Sequence, residues 1–315
     1  MIYTQVAMVL SHSSRNSDDP LSDVLVTLGA RSVRRTRLEA AGDWALTFPA
    51  QARLKFVALL RGRCWIMVPG QPPRALSAGD TFLLGNTAYT VASHPDVTPD
   101  DGMPLFAGPG RDVVCLGGAE TVSVGGVIAF ANGEADFLLD ALPCFMHIAR
   151  QAPSATAVVR TLSLLEAETE RPGLGSTLIM ARLAEILLVE AIRTYVADHG
   201  KESHGWIGAL ADRRTGEALR LMHGNIAHPW TVEELAARVG MSRSAFAALF
   251  ACRVGRPPLD YLTHWRMTLA RRLLEQGSVD VAIVAARVGY TSQSAFGHAY
   301  KRTIGHSPRR RARKA

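Results

Sequence analysis

The hydrophobic pattern of this 315-residue chain changes character twice. From about residue 44 to 130, apolar residues come in short runs cut by Gly and Asp. The runs are Ala45–Phe48, Phe56–Leu60, Cys64–Val68, Thr81–Leu84, Tyr89–Ala92 and Val113–Leu116, with Gly62, Gly70 and Gly79-Asp80 as punctuation. Many short strands at close spacing predict a β-barrel or sandwich. The pattern then turns helical, with Leu162–Glu170 and Thr177–Val196 separated by Arg171-Pro172-Gly173. In the second of these helices Leu178, Ile179, Leu183, Ile186, Leu187 and Val189 exceed one apolar stripe. Such a helix needs cover on two sides. The strands supply one side, and a second subunit is the expected cover for the other, with burial inside one chain as the alternative. The polar stretch from Asp198 to Gly205 reads as a linker.

The last third repeats itself. AARVGMSRSAF (Ala236 to Phe246) returns as AARVGYTSQSAF (Ala285 to Phe296), one residue longer in its turn. Beyond the turn the copies keep an offset of 50, pairing Phe246 with Phe296, Gly255 with Gly305 and Pro258 with Pro308. Each copy predicts a helix, a Gly-centred turn and a second helix. In the first copy Thr231 and Glu234 make a capping box, Leu235, Ala236 and Val239 form the apolar face, and Gly240 ends the helix. Ser242 caps the next helix, whose Phe246, Leu249 and Phe250 fall at i, i+3 and i+4. The second copy has Val281, Ile283, Val284 and Val288, then Gly289, then Ser292 as cap, then Phe296 and Tyr300. Between the copies Pro257-Pro258 opens a long helix ending before Gly277, with Leu259, Tyr261, Leu262, Trp265, Leu269, Leu273 and Leu274 at helical spacing. Eighteen residues of helix from Pro258 to Glu275 span about 27 Å at ~1.5 Å per residue. Adjacent turns of a DNA duplex lie ~34 Å apart, which such a rod can bridge once side chains are added.

Charge sharpens this reading. The chain carries a net +7, but from Asp212 onward there are 18 Lys and Arg against 7 Asp and Glu, leaving 17 and 21 before it. A near-neutral front joined to a basic last third points to a polyanionic partner for the latter. The terminal run from Arg309 to Lys314 says little by itself, since basic tails in general bind phosphate without sequence preference. Apolar residues at 48% exclude a largely disordered chain. No run approaches the ~18 apolar residues of a membrane span. The N-terminus lacks the basic start of a secretory signal, and Cys64, Cys115, Cys144 and Cys252 are too dispersed for a CxxC metal pair. The expected setting is cytoplasmic and reducing.

Three segments, WTVEELAARVGMSRSAFAALF, PLDYLTHWRMTLARRLL and VAIVAARVGYTSQSAFGHAYKRTIGHSP, together resemble the DNA-binding domain of AraC/XylS-type transcription regulators over about residues 213–311. The resemblance implies that Arg243, Ser244, Ala247, Ala248 and Ala251 form the exposed face of the first reading helix. Alanine touches a thymine methyl but makes no bidentate base contact, so this helix is expected to position more than it specifies. In the second reading helix Gln293, Ser294 and His298 point outward, and Gln pairs naturally with adenine. Arg287, Lys301 and Arg302 are expected on phosphates, with the helix amides near Ser242 and Ser292. Trp265 reads as core.

LRGRCWIMV followed by LSAGDTFLLGNTAYTV resembles a cupin half-motif. The order WALTF, LLRGRCW, LSAGD, VVCLGG, LPCFMHI resembles the cupin-like sensing domain of one AraC-type branch, over about residues 21–195. Metal-binding cupins carry histidines where this chain has Val57 and Tyr89, while His94 lies in a loop, so no metal and no cofactor is expected. Trp44, Phe56, Trp65, Met67 and Tyr89 are the expected lining of a small-molecule site, with packing as the alternative use of these side chains. Cys115, in VVCLGG, is a redox-sensor candidate if an activated thiolate is exposed there, and inert filler otherwise.

The expected architecture is α+β and multidomain. It comprises an N-terminal arm (1–20), a cupin-like β-barrel (21–150), a helical dimerisation hairpin (151–197), a linker (198–211) and an all-α domain with two helix-turn-helix motifs (212–315). The expected protein is a non-enzymatic regulator that binds promoter DNA as a homodimer, responds to a small-molecule effector, and meets RNA polymerase if it activates. Two rivals stand beside it: a cupin-type metalloenzyme fused to a DNA-targeting module, and a constitutive DNA-binding protein whose barrel only supports dimerisation.

Overall fold

The computed structural model describes residues 19–308, except 28, 30, 52, 109, 131–141, 172, 200–204 and 276–278. Most of the expected N-terminal arm and the run from Arg309 to Lys314 lie outside the described residues. The chain divides into two compact units: Ala30–His199, and a second joining the residues before 30 to those from 200 onward.

The first unit begins with β1 (Arg31–Ala40), β2 (Ala45–Phe48), β3 (Leu54–Arg61), β4 (Arg63–Met67), β5 (Arg74–Ser77) and β6 (Thr81–Leu84). It continues with β7 (Tyr89–Ala92), β8 (Asp100–Asp101), β9 (Val113–Leu116), β10 (Thr121–Ala129) and β11 (Phe145–Ile148). One sheet has the order β11-β6-β3-β10-β1-β9 and the other β5-β4-β7-β2-β8. Their inner faces share one core that includes Leu38, Trp44, Leu46, Phe48, Leu59, Ile66, Phe82, Tyr89 and Val91. The six strands expected from short apolar runs are all present. The longest strand, β1, was not expected, because its sequence RSVRRTRLEA carries four arginines. It is held between β10, antiparallel, and β9, parallel, so pairing rather than side-chain character makes it a strand.

Helices α2 (Thr156–Glu170) and α3 (Ser176–His199) follow and pack on each other. α2 lies against β3, and α3 against β1, β6 and β11. The six-stranded sheet is therefore covered on both faces. Ala184, Leu187, Leu188, Ala191 and Ile192 are the buried side of α3.

The second unit is helical. It contains α4 (Trp206–Ala211), α5 (Arg213–Gly224), α6 (Val232–Arg238), α7 (Arg243–Val254), α8 (Pro258–Glu275), α9 (Val281–Arg287) and α10 (Gln293–Ile304). A short helix from the other end of the chain, α1 (Pro20–Thr27), packs against α5 and α8. Two assignments made from sequence change here. Residues 21–27 were expected with the barrel, yet Leu21, Val24 and Leu25 are buried against the helical unit, and the Asp19 carboxylate accepts from the Leu21 and Ser22 amides at the helix start. Residues 206–211 were expected in the linker, but α4 is core. Trp206 is almost wholly buried, and its indole N–H donates to Tyr261 Oη at 2.9 Å. Six residues are too few to show a helical period, so the sequence had no means of announcing α4.

Candidate DNA-reading face and barrel cavity

Each helix-turn-helix is assembled by the same local devices. In the first, Thr231 Oγ1 accepts from the Glu234 amide at 3.1 Å and Ser242 Oγ from the Ala245 amide at 3.4 Å. α6 and α7 meet at 89°, near the perpendicular crossing of helix-turn-helix pairs. In the second, Asp280 caps α9 through the Ala282 amide at 2.8 Å, and Ser292 caps α10 through Ala295 at 3.3 Å. Asp280 was not singled out from sequence, though its place just before VAIVAAR was a readable cap signal. The second helix of each unit, α7 and α10, ends in a left-handed glycine, Gly255 and Gly305.

α8 serves both halves. Tyr261 meets Phe250 edge-on at 5.8 Å in the first, while Met267, Ala270 and Leu274 join Val284, Val288, Phe296 and Tyr300 in the core of the second. Trp265 is buried, stacked on His223 at 4.7 Å, as its helical spacing implied. Arg266 joins the halves more directly. Its Nε donates to Ile226 O at 2.9 Å and its Nη2 to His228 O at 2.7 Å, and its guanidinium lies over the Tyr290 ring. At Gly289, φ is +85° and a Cβ would sit 2.6 Å from Ala227 O. Only glycine fits there without displacing the segment that Arg266 pins. The sequence reading missed Arg266 because nothing in periodicity marks a side chain that binds backbone carbonyls.

The expected DNA-contacting side chains mostly face solvent. Arg243, Ser244 and Ala248 are exposed on α7 and Ala247 is half-buried, as is Ala251. Gln293, Ser294, His298, Lys301 and Arg302 are exposed on α10, and Arg287 at the end of α9. One detail separates the copies. Arg243 Nε lies 2.7 Å from Glu233 Oε1, an ion pair tying α7 to α6.

In the barrel unit a small cavity of about 40 Å3 lies among β1, β2, β3, β4, β6, β7 and β10. Of the five residues expected to line it, Trp44 and Tyr89 do. Phe56, Trp65 and Met67 do not, for a reason of strand parity. Lys55, Val57 and Leu59 point inward from β3, so Phe56 between them is buried on the opposite, helix-covered face. Cys64 points inward from β4, which sends Trp65 outward, edge-on to His94, with Met67 on the same side. Val57 and Tyr89, the positions aligned with cupin metal ligands, both face the cavity. Among the described residues no cluster of three His, Cys, Asp or Glu is disposed to hold a metal.

Lys55 is the cavity residue that sequence reasoning overlooked. Its Nζ donates to Tyr89 Oη and lies 4.6 Å from the Phe48 ring centroid. Burial, reinforced by the positive charges of Arg53 and Arg34, brings its pKa down to about 7. Burial also pushes the Tyr89 phenol up, so its hydroxyl keeps its proton. Both parities of LKFVALLR carry apolar residues, so alternation alone did not mark the face of Lys55. Cys115 is exposed, and its thiol donates to Glu39 Oε2 at 3.5 Å. The carboxylate raises the thiol pKa, the opposite of what an activated thiolate requires.

A cupin family model matches residues 19–197, and a helix-turn-helix domain model matches residues 235–314. A putative AraC-like transcription regulator of Streptomyces antibioticus is 38% identical over 92% of this chain and 97% of its own length. A second, from Streptomyces lividans, is 38% identical over 92% and 96%. The transcriptional regulator AlkR of Acinetobacter baylyi is 30% identical over 92% and 98%. The chain belongs to the AraC-like transcription regulators. Its α+β, multidomain fold is that of a cupin-like half followed by a helix-turn-helix half. In this regulator family the helix-turn-helix half binds DNA, and these relatives are transcription regulators. Among the described residues no single helix is long and apolar enough to cross a membrane.

Proposed function

We propose that this regulator binds specific promoter sequences through α7 and α10 together, and that a small molecule in the barrel cavity modulates the binding. The observation that carries the reading is the pair of capped helix-turn-helix units built on one shared α8, with polar side chains left exposed on the second reading helix. Gln293, Ser294 and His298 read bases, while Arg287, Lys301 and Arg302 hold phosphates. Arg243, engaged by Glu233, orients α7 and takes a lesser part in reading. The effector acts by binding one arrangement of the regulator better than another, since no ligand shifts an equilibrium without such a difference.

The regulator acts as a homodimer through α3. Leu178, Ile179 and Ile186 stay 62%, 44% and 48% exposed on that helix, opposite its buried side. Ile179 and Ile186 are seven residues apart and so share one face, with Leu178 beside them. A second copy presenting the same stripe would cover it. Ile186→Asp together with Ile179→Glu is expected to yield a monomer by sedimentation, while a variant that stays dimeric would remove α3 from the interface. Binding-site selection with the purified full chain tests the DNA reading. It is expected to return a two-part site, and recovery of unrelated sequences would refute specificity.

A further inference from the structure

The turns of the two helix-turn-helix units carry the same glycine in different surroundings. Gly240, in the first, has φ +68° and open space where a Cβ would stand. Gly289, in the second, has φ +85°, but a Cβ there would lie 2.6 Å from Ala227 O and 3.0 Å from Ala227 Cα. The backbone pressed onto Gly289 comes from the other half, because residues 225–230 lead from α5 into α6. Two side chains tie this loop to that half. His228 Nε2 lies 3.0 Å from Glu234 Oε2 on α6, and the Trp230 indole N–H donates to Asn225 O at 3.0 Å. On its other side the loop reaches the second reading helix: Ala227 and Pro229 border a groove shared with Ala282, Gly289 and Gln293.

Arg266 fastens the loop to α8. Two of its nitrogens donate to two different carbonyls, Ile226 O and His228 O, and its guanidinium lies 6.0 Å from the ring centroid of Tyr290, the residue after Gly289. His228 O accepts a further bond from the Trp230 amide at 2.8 Å, so the loop cannot swing without breaking bonds on both sides. Asn225, Ala227 and Pro229 are exposed, so water could reach the carbonyls of this loop and meet their hydrogen-bonding needs. Water cannot hold them in place against a helix. A planar fork making two bonds fixes a rotation as well as a distance, whereas a point charge fixes only a distance.

We infer, resting on the joint reading by α7 and α10 proposed above, that Arg266 sets the spacing and rotation between the two reading helices and so restricts the regulator to one separation between the two parts of its DNA site. Arg266 is a positioning residue. It acts on α7 through the loop and α6, and on α10 through the Gly289 turn. One inserted base pair moves half of a site by ~3.4 Å along the duplex and turns it by ~35° about the axis, given 10–10.5 pairs per turn. Over the ~27 Å of α8, a shift of ~3.4 Å is a tilt of only about 7°. Packed helices slide by small amounts of this kind, but hydrogen bonds of ~2.7–2.9 Å weaken steeply when misaligned. Unfastened halves can take up the shift and part of the turn; fastened halves can take up neither.

Titration of the full-length protein with three duplexes tests this: the site recovered by selection, and the same site with one base pair inserted or removed at its midpoint. Wild type is expected to bind the altered spacings at least about tenfold more weakly, since a displaced half loses its base contacts. Arg266→Met should bind the selected site more weakly than wild type and shrink the spacing penalty to less than about threefold, because its halves must be ordered on the DNA but can adapt to it. A merely destabilising substitution would weaken all three duplexes in proportion and leave the penalty intact. Arg266→Lys, which can hold one carbonyl, should fall between the two, and it carries the test if Arg266→Met does not fold. A full penalty in either variant would overturn the assignment. So would a wild-type protein that accepts all three spacings while still needing both parts of the site. If scrambling either part leaves wild-type affinity unchanged, the joint reading itself fails and the spacing role falls with it.

Discussion

The two helix-turn-helix units have nearly the same scaffold and opposite surfaces. At the offset of 50, Phe246 and Phe250 correspond to Phe296 and Tyr300, all buried, and Ser242 to Ser292, both capping. On the outer face the correspondence ends. Arg243, Ala248, Ala251 and Cys252 stand where the second copy has Gln293, His298, Lys301 and Arg302. Of those first-copy side chains only Arg243 can donate several hydrogen bonds, and its Nε is paired with Glu233. Duplicate cores thus carry one surface suited to shape and contact and another suited to hydrogen bonding. Packing constrains the buried positions of both copies alike, whereas the exposed positions are free to diverge because they contribute little to stability.

Three experiments press on that contrast. The largest effect should be the one that shows no contrast. Phe246→Ala and Phe296→Ala are each expected to cost about 3–5 kcal/mol in urea denaturation, since both empty a fully buried aromatic site. A difference of more than twofold between them would mean that the halves are not equivalent cores. The second effect should be one-sided. Gln293→Ala is expected to cost about 1–3 kcal/mol on the selected site and to relax preference at one base pair. Arg243→Ala should leave the base preference unchanged. Equal loss on selected and random DNA would remove Gln293 from base reading. The smallest effect concerns salt. Arg302→Ala should weaken binding to all sequences and reduce the log–log salt slope by about one, while Cys252→Ala at the matching position leaves the slope alone. A changed preference with an unchanged slope in Arg302→Ala would place that side chain on a base instead.

Legibility differed between the units for physical reasons. In the helical unit, turn glycines, serine caps and aromatic spacing each have local meanings, and α8 runs over the residues that its Pro start and Leu periodicity implied. In the barrel unit, short apolar runs located strands but not their inward faces. Phe56, Trp65 and Met67 were expected in the cavity on residue type, where strand parity decides. Lys55 went unseen for the converse reason: a charged residue in a strand reads as solvent-facing until its neighbours are known.

The sequence by itself determined the repeated helix-turn-helix, its caps and its buried aromatics, because helix ends and helical faces are set by residues within a few positions of one another. It also determined the concentration of positive charge in the last third. Only the tertiary structure decided that Pro20–Thr27 joins the C-terminal helices, that Arg266 bolts the two halves by grasping the Ile226 and His228 carbonyls, and that Lys55 lies half-buried against Tyr89. Each of those depends on groups brought together from at least 34 positions apart, and no local pattern encodes which distant backbone or ring a side chain will meet.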